Sequence, residues 1–260
     1  MKTPALFIGH GNPMNVLEPD NIFNQGIRAV AAKLPKPKAI LCISAHWFEP
    51  VAEVGSGENP ELIYDFYGFP QELYEVQYPA KGSPELAKII QELAIDEHIQ
   101  LNPHRGYDHG MWTVLKHLYP DADVPVVQLS LDSRKSPREH FALAQKLAVL
   151  REQGVMIVGS GDIVHNLRLM DRANVDTLNI AYDWADEFRL HINKAIETQD
   201  VSALVDFAAY GRPAELSIPT PEHYLPLLYV MAARDANDQI DLFNDYMVGG
   251  SLSMTSVLLS

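Results

Sequence analysis

Short unbroken apolar runs alternate along this chain with longer stretches in which apolar positions recur every three or four residues. Ala5–Ile8, Ala39–Ser44, Val124–Leu131 and Val155–Val158 have the length of buried strands. They show no polar alternation, which suits a sheet covered on both faces. Helices are predicted between them. Ser83-Pro84-Glu85 offers a cap and then proline at the first helical position, followed by Ala87, Ile90 and Leu93 at helical spacing. Ser136-Pro137-Arg138-Glu139 reads as a capping box leading into Phe141, Ala144 and Leu147. Trp184, Phe188, Ile192 and Ala195 form another apolar stripe, with charged residues elsewhere around the helix. Ile240–Leu259 predicts two further strands, antiparallel, around Gly249-Gly250. The expected fold is α/β: one domain over residues 1–260, with a central, mostly parallel or mixed sheet flanked by helices and extra antiparallel strands at the C-terminal end. The stretch Gly55–Gly82 is rich in proline, glycine and aromatics. It is too apolar for a linker and predicts a packed, irregular loop covering something.

Composition narrows the function classes. The chain has 260 residues and a net charge of −14, with 47% hydrophobic and 21% charged residues. That is the make-up of a folded protein with a full core. The acidic balance argues against nucleic acid and anionic membranes, both of which call for lysine and arginine. No apolar window reaches the ~18 residues of a membrane span. MKTPALFIGHG has only a short apolar stretch before glycine, so no signal peptide is expected and a cytoplasmic location is. The single cysteine, Cys42, excludes an internal disulfide and Cys-rich zinc motifs, and its apolar surroundings predict a buried thiol. Nothing in the sequence fixes an oligomeric state.

The ten histidines are more informative by position than by number. Leu6–Gly9 runs into His10, and Ile40–Ala45 runs into His46. Met156–Gly161 leads through a short loop to His165. Three expected strands thus end in small residues and then a histidine. Ligands in parallel α/β sheets sit at the carboxyl ends of the strands, so neighbouring strands would bring these imidazoles together. His109 follows Asp108 at an expected helix start. His223 lies in Thr220-Pro221-Glu222-His223, where Thr220 is the expected cap and Pro221 the first helical residue. A helix N-terminus disfavours imidazolium and keeps histidine in the neutral form that a metal ligand or general base needs. His98 and His104 fall in polar loops. His117, His140 and His191 lie in helices beside charged residues, where a solvated or core-edge position is expected. Gly9-His10-Gly11 and Gly159-Ser160-Gly161 lack the remaining residues of a phosphate loop, a dinucleotide fingerprint or a nucleophile elbow.

Six segments occur in an order that resembles the class III extradiol ring-cleavage dioxygenases, in particular their DOPA 4,5-dioxygenase branch. They are His10-Gly11-Asn12-Pro13-Met14, Ser44-Ala45-His46-Trp47, Tyr64-Asp65-Phe66-Tyr67-Gly68-Phe69-Pro70, Asp108-His109-Gly110, Val164-His165-Asn166-Leu167 and Pro219-Thr220-Pro221-Glu222-His223-Tyr224. The likeness runs from about Pro4 to the Gly250–Met254 segment. It departs at Asn12, often serine in the family, and at Lys81, often proline. The resemblance implies a non-haem, metal-dependent oxidoreductase that opens a catechol ring, DOPA by 4,5-cleavage, inserting both atoms of O2. It implies metal ligands His10, His46 and His223, acid–base catalysis by His165, and a second active-site role for His109. The two-His-one-carboxylate pattern of other class III enzymes would nominate Glu222 in place of its neighbour His223.

The chemistry of such a site favours iron. Three protein ligands on one face leave room for a chelating catechol and for O2. Ring oxygen insertion needs a redox-active ion, so Fe(II) is the expected working metal. Zn(II) is expected to compete for the site during purification, because the Irving–Williams order favours it. The implied partners are a small catechol and O2, with no nucleic acid and no membrane. The residues alone also admit a zinc-dependent hydrolase using the same three-His site, or a non-catalytic protein that binds metal or catechol.

Overall fold

A computed structural model describes residues 2–175 and 177–260. Its strands are β1 (Ala5–Gly9), β2 (Ala39–Glu49), β3 (Glu53–Gly55), β4 (Gln100–Asn102), β5 (Val126–Asp132), β6 (Val155–Gly161), β7 (Ile240–Phe243), β8 (Met247–Val248), β9 (Leu252–Ser253) and β10 (Ser256–Leu259). Its α-helices are α1 (Ile22–Ala31), α2 (Gln71–Tyr74), α3 (Pro84–Leu93), α4 (His109–Leu118), α5 (Pro137–Leu147), α6 (Asp183–Thr198), α7 (Val201–Val205), α8 (Arg212–Ser217) and α9 (Leu225–Ala232).

Eight strands form one sheet in the order β4-β3-β5-β2-β6-β1-β10-β7. The central four, β5-β2-β6-β1, are parallel. At one edge β3 runs antiparallel to β5, and at the other β10 is antiparallel to β1 and β7 to β10. The expected mostly parallel or mixed sheet is therefore present.

The unbroken apolar runs are explained by the two covers. Side chains alternate faces along a strand. Phe7, Leu41, Ile43 and Ile157 pack into a core with α3, α5, α6 and α9. Leu6, Ile8, Ile40, Cys42, Met156 and Val158 face the opposite core, against α1, α4 and the aromatic loop. With both faces buried, neither strand face can be polar. Cys42 is a buried free thiol, as expected.

The caps read from sequence are present. Ser83 accepts from the Leu86 N–H, and Ser136 and Glu139 close a capping box. Three expectations need correction. The C-terminal region holds four strands: β8 and β9 form a hairpin through Gly249 and Gly250, both at positive φ, while β7 and β10 extend the main sheet. The last helix does not begin at Pro221 but at Leu225, with His223 in the turn before it. Pro226 has no N–H to give the Glu222 carbonyl, so regular helix starts only where Pro226 falls in the first turn. His140 is not at the core edge but fully buried, its Nδ1 2.9 Å from the Tyr229 hydroxyl and its Nε2 3.1 Å from the Asp132 carbonyl. No helix among the described residues is long and apolar enough to cross a membrane.

Candidate metal centre

Strand register brings the first histidines together. β1 and β6 pair with Gly9 opposite Gly161, and β2 and β6 pair with Ser44 opposite Ser160. β1 and β6 therefore end level, and the pairing of β2 with β6 stops at Ser44 beside them. Contrary to expectation, β2 does not end before His46 but continues to Glu49 alongside β5. His10 follows β1 immediately, its N–H donating to the Gly161 carbonyl at 3.0 Å. The pairing of β2 with β5 shifts between Ile43 and Phe48. This bulge carries His46, and bulges re-aim side chains beside functional sites.

The fourth side of the site comes from the turn before α9. The Asp162 N–H donates to the His223 carbonyl at 2.8 Å, and a Cβ at position 161 would collide with that carbonyl, so only glycine allows the approach. His109 opens α4, with Asp108 as its N-cap. Gly110 is needed because a Cβ there would run into Ser44 and the His46 ring.

One ring nitrogen from each of His10, His46 and His223 lies within 4.8 Å of the others. The Nε2 atoms of His10 and His46 are 3.3 Å apart. The ring of His165 stacks on that of His223 at 3.5 Å, nearly parallel at 5°, and His109 lies 4.0 Å from His46 between centroids.

The Nδ1 atoms of His10, His46 and His223 each have an oxygen behind them. His10 Nδ1 is 2.9 Å from Ser160 Oγ, whose own proton goes to the Gly110 carbonyl at 2.6 Å. Ser160 can then only accept from His10, so Nδ1 carries the hydrogen and Nε2 presents a lone pair. His46 Nδ1 is 3.3 Å from Asp65 Oδ2, and His223 Nδ1 is 3.4 Å from Glu222 Oε1. Oxygen partners of this kind fix the tautomer and orientation of metal-ligating histidines.

Burial, followed by repulsion among the imidazoles, holds His10 and His223 well below the ordinary histidine range. The same causes, against the opposing pull of nearby carboxylates, bring His46 and His165 down to about 4. All four are neutral at pH 7, the form that binds metal or accepts a proton. Asp65 spans two rings. Its Oδ1 accepts the His109 N–H at 3.0 Å and lies 3.0 Å from His109 Nδ1, off the line of a good hydrogen bond. Burial would raise its carboxyl, but contact with His109 and the charges of His109 and His46 win, bringing it to about 2.

A cavity of about 810 Å³ opens above the cluster. The aromatic loop supplies Phe66 and Phe69 to its wall, and the Phe66 ring stands edge-on to His109 at 5.4 Å. Among the described residues, the charged wall residues apart from histidine are Glu18 and Arg172. The donor set fits a divalent transition metal, for which neutral imidazole is a good ligand.

The structure thus gathers His10, His46, His109, His165 and His223 at one point. His98, His104, His117, His140 and His191 are not among the cavity residues. Sequence reasoning gave no role to Asp65, Ser160 or Asp162. Asp65 sits inside a quoted segment, and Ser160 and Asp162 flank the β6 glycine, but their partners are distant in the chain.

Comparison with known proteins agrees with this geometry. Residues 4–248 match the family described as the catalytic LigB subunit of aromatic ring-opening dioxygenase. The chain is 45% identical over 260 residues to the 4,5-DOPA dioxygenase extradiol of Escherichia coli (strain K12), covering 98% of this chain and 94% of the relative. It is 34% identical to the protein of the same name from Beta vulgaris, covering 97% and 94%. The crystal structure of an uncharacterized protein from Escherichia coli K12 superposes with a TM-score of 0.87 at 41% identity, over the full length of both chains. With nearly the whole chain matched and its histidines gathered at the strand ends, this protein belongs to the LigB family of aromatic ring-opening dioxygenases.

Proposed function

We propose that this enzyme is an extradiol dioxygenase that opens the ring of a catechol, DOPA at its 4,5 bond, with both atoms of O2 entering the product. The observation that carries this reading is the set of three imidazoles, each tied at Nδ1 to an oxygen and facing a common point at the floor of a large, aromatic-walled cavity. His10, His46 and His223 would hold the metal. Bound Fe(II) supplies the electron relay between catecholate and O2 that redox-inert Zn(II) cannot.

The remaining steps fall to the protein. His165, neutral and stacked on His223, takes the second hydroxyl proton of the catechol and returns it after oxygen insertion. His109, anchored by Asp65, orients the substrate oxygens. Glu222 lies behind His223 at Nδ1, which supports the histidine and not the glutamate as ligand. Phe66 offers an aromatic edge to the bound ring. The cavity is much larger than a bare catechol, and Glu18 and Arg172 on its wall match the ammonium and carboxylate of an amino-acid side chain.

Anaerobic reconstitution with Fe²⁺ tests the reading. DOPA is added and oxygen admitted, with an oxygen electrode and the visible spectrum as readouts. One O2 consumed per DOPA, with a new visible chromophore, is expected. Iron-loaded protein that consumes no oxygen with DOPA or simpler catechols would sink the proposal.

A further inference from the structure

Asp162 follows the last residue of β6 and is 1% exposed. Its Oδ1 is 3.4 Å from the Gly11 N–H, a long hydrogen bond. Its Oδ2 has no hydrogen-bond partner among the described residues. That oxygen lies 3.6 Å from His10 Nε2, the nitrogen left free by the Ser160 contact. One carboxylate oxygen of Asp162 is also within 4.8 Å of a ring nitrogen of both His165 and His223. No arginine or lysine pairs with it among the described residues.

A carboxylate stripped of water and of hydrogen-bond donors is among the costliest groups to bury. Native proteins avoid such orphans, and one that persists beside a ligand cluster points to a missing ion. The nearest imidazole does not meet the need, because the His10 hydrogen lies on Nδ1 toward Ser160 and Nε2 has none to donate. The carboxylates of Asp65 and Glu222 stand behind the His46 and His223 rings at Nδ1, whereas Asp162 Oδ2 lies on the Nε2 side of His10.

We propose that Asp162 is the anionic partner of the metal site: its Oδ2 faces the ion held by His10, His46 and His223 and strengthens the binding of that ion. This rests on the metal-site assignment proposed above. Asp162 is a positioning residue here, acting on the ion and its ligand His10 and not on the substrate.

The isosteric variant Asp162→Asn separates this role from a structural one. Burial favours the uncharged form of this carboxyl when no ion is present, and an amide is its neutral isostere, so metal-free Asp162→Asn should melt no lower than metal-free wild type. Its affinity for Zn²⁺, and for Fe²⁺ measured anaerobically by competition with a chromophoric chelator, should fall roughly 10–100-fold, the usual effect of losing an outer-shell partner. Asp162→Ala should show the same loss, and keeps the test open if the amide misfolds. His10→Ala and His46→Ala serve as controls. If they lose metal while both Asp162 variants bind within twofold of wild type, the inference about Asp162 is wrong and the three-histidine site stands. If the histidine variants keep full metal affinity, the three-histidine assignment itself fails. A metal-free Asp162→Asn protein that melts well below wild type would show that the carboxylate has a structural role and overturn the proposal.

Discussion

Removing the His165 imidazole should separate proton transfer from metal binding. It is expected to act on substrate protons and not as one of the three ligands. His165→Ala should keep its metal and bind catechol, yet turn over roughly 10²–10⁴ times more slowly, the usual range for a lost acid–base group. His165→Gln should be nearly as slow, because an amide cannot carry a proton near pH 7. Oxygen uptake measured beside metal content decides the matter: loss of iron would make His165 a ligand, and full rate with full iron would move the proton chemistry elsewhere. Arg172 offers a second test at this scale. If it reads the substrate carboxylate from the exposed cavity wall, Arg172→Ala forfeits about 1 kcal/mol, about fivefold in KM for DOPA, with kcat unchanged. KM for 4-methylcatechol, which has no carboxylate, should not move. An equal rise for both compounds would rule out that role. The gathered histidines were legible in sequence because each lies just past an apolar strand run or near a helix start that local pattern reveals. Asp65, Ser160 and Asp162 were not, because what marks them is the spatial neighbour: Asp65 meets His46 and His109 across 19 and 44 positions.

At the scale of elements, the buried His140 joins α5 to α9 through Tyr229 and to the end of β5 through the Asp132 carbonyl. Burial brings its pKa down to about 4 from an ordinary 6.5, outweighing the favourable contacts with Asp132 and Glu139. The folded protein then binds fewer protons here than the unfolded chain between those values. Stability from this site is complete above about pH 6.5 and is lost as pH falls toward 4, by about 3 kcal/mol. The site histidines shift in the same direction, so the test is a difference: urea unfolding of metal-free wild type and His140→Gln at pH 7.5 and 4.5. The variant should lose about 3 kcal/mol less than wild type over that interval. Equal losses would show that His140 titrates normally. Local pattern placed the strands and caps well, since alternation and capping chemistry act within a few residues. It misplaced His140 because charged neighbours on a helix do not reveal the packing of α9 against α5, and it misplaced the start of α9 by weighing Thr220 and Pro221 over the missing N–H of Pro226.

Across the whole molecule, the end of the sheet away from the metal site is closed by a buried ion pair. Arg151 is fully buried. Its Nε donates to the Thr3 carbonyl at 2.7 Å, and its Nη1 to the Ala233 carbonyl at 2.7 Å. Both Nη atoms donate to the Asp238 carboxylate, at 2.6 and 3.0 Å. One guanidinium thus ties the entry to β1, the end of α9 and the approach to β7. Asp238 also takes Lys2, and although burial would raise its carboxyl, these hydrogen bonds bring it to about 2. Its contribution is present above the ordinary carboxylate range near 4 and is lost as pH falls through 2. Arg151→Met should therefore cost about 3 kcal/mol at pH 7, because it leaves two carbonyls unpaired and the Asp238 carboxylate with only Lys2 and the Asp235 N–H. At this chain length that is a fall of about 10 °C in melting temperature. The double variant Arg151→Met, Asp238→Leu should recover much of the loss, since an apolar pair carries no orphaned charge. β1 alone separates the clamp from His10 by about 16 Å, so metal content should match wild type in both variants. Calorimetry with elemental analysis decides it: a drop under 1 kcal/mol in the single variant, or loss of metal from a folded double variant, would show that the clamp does not act as an independent support for the site.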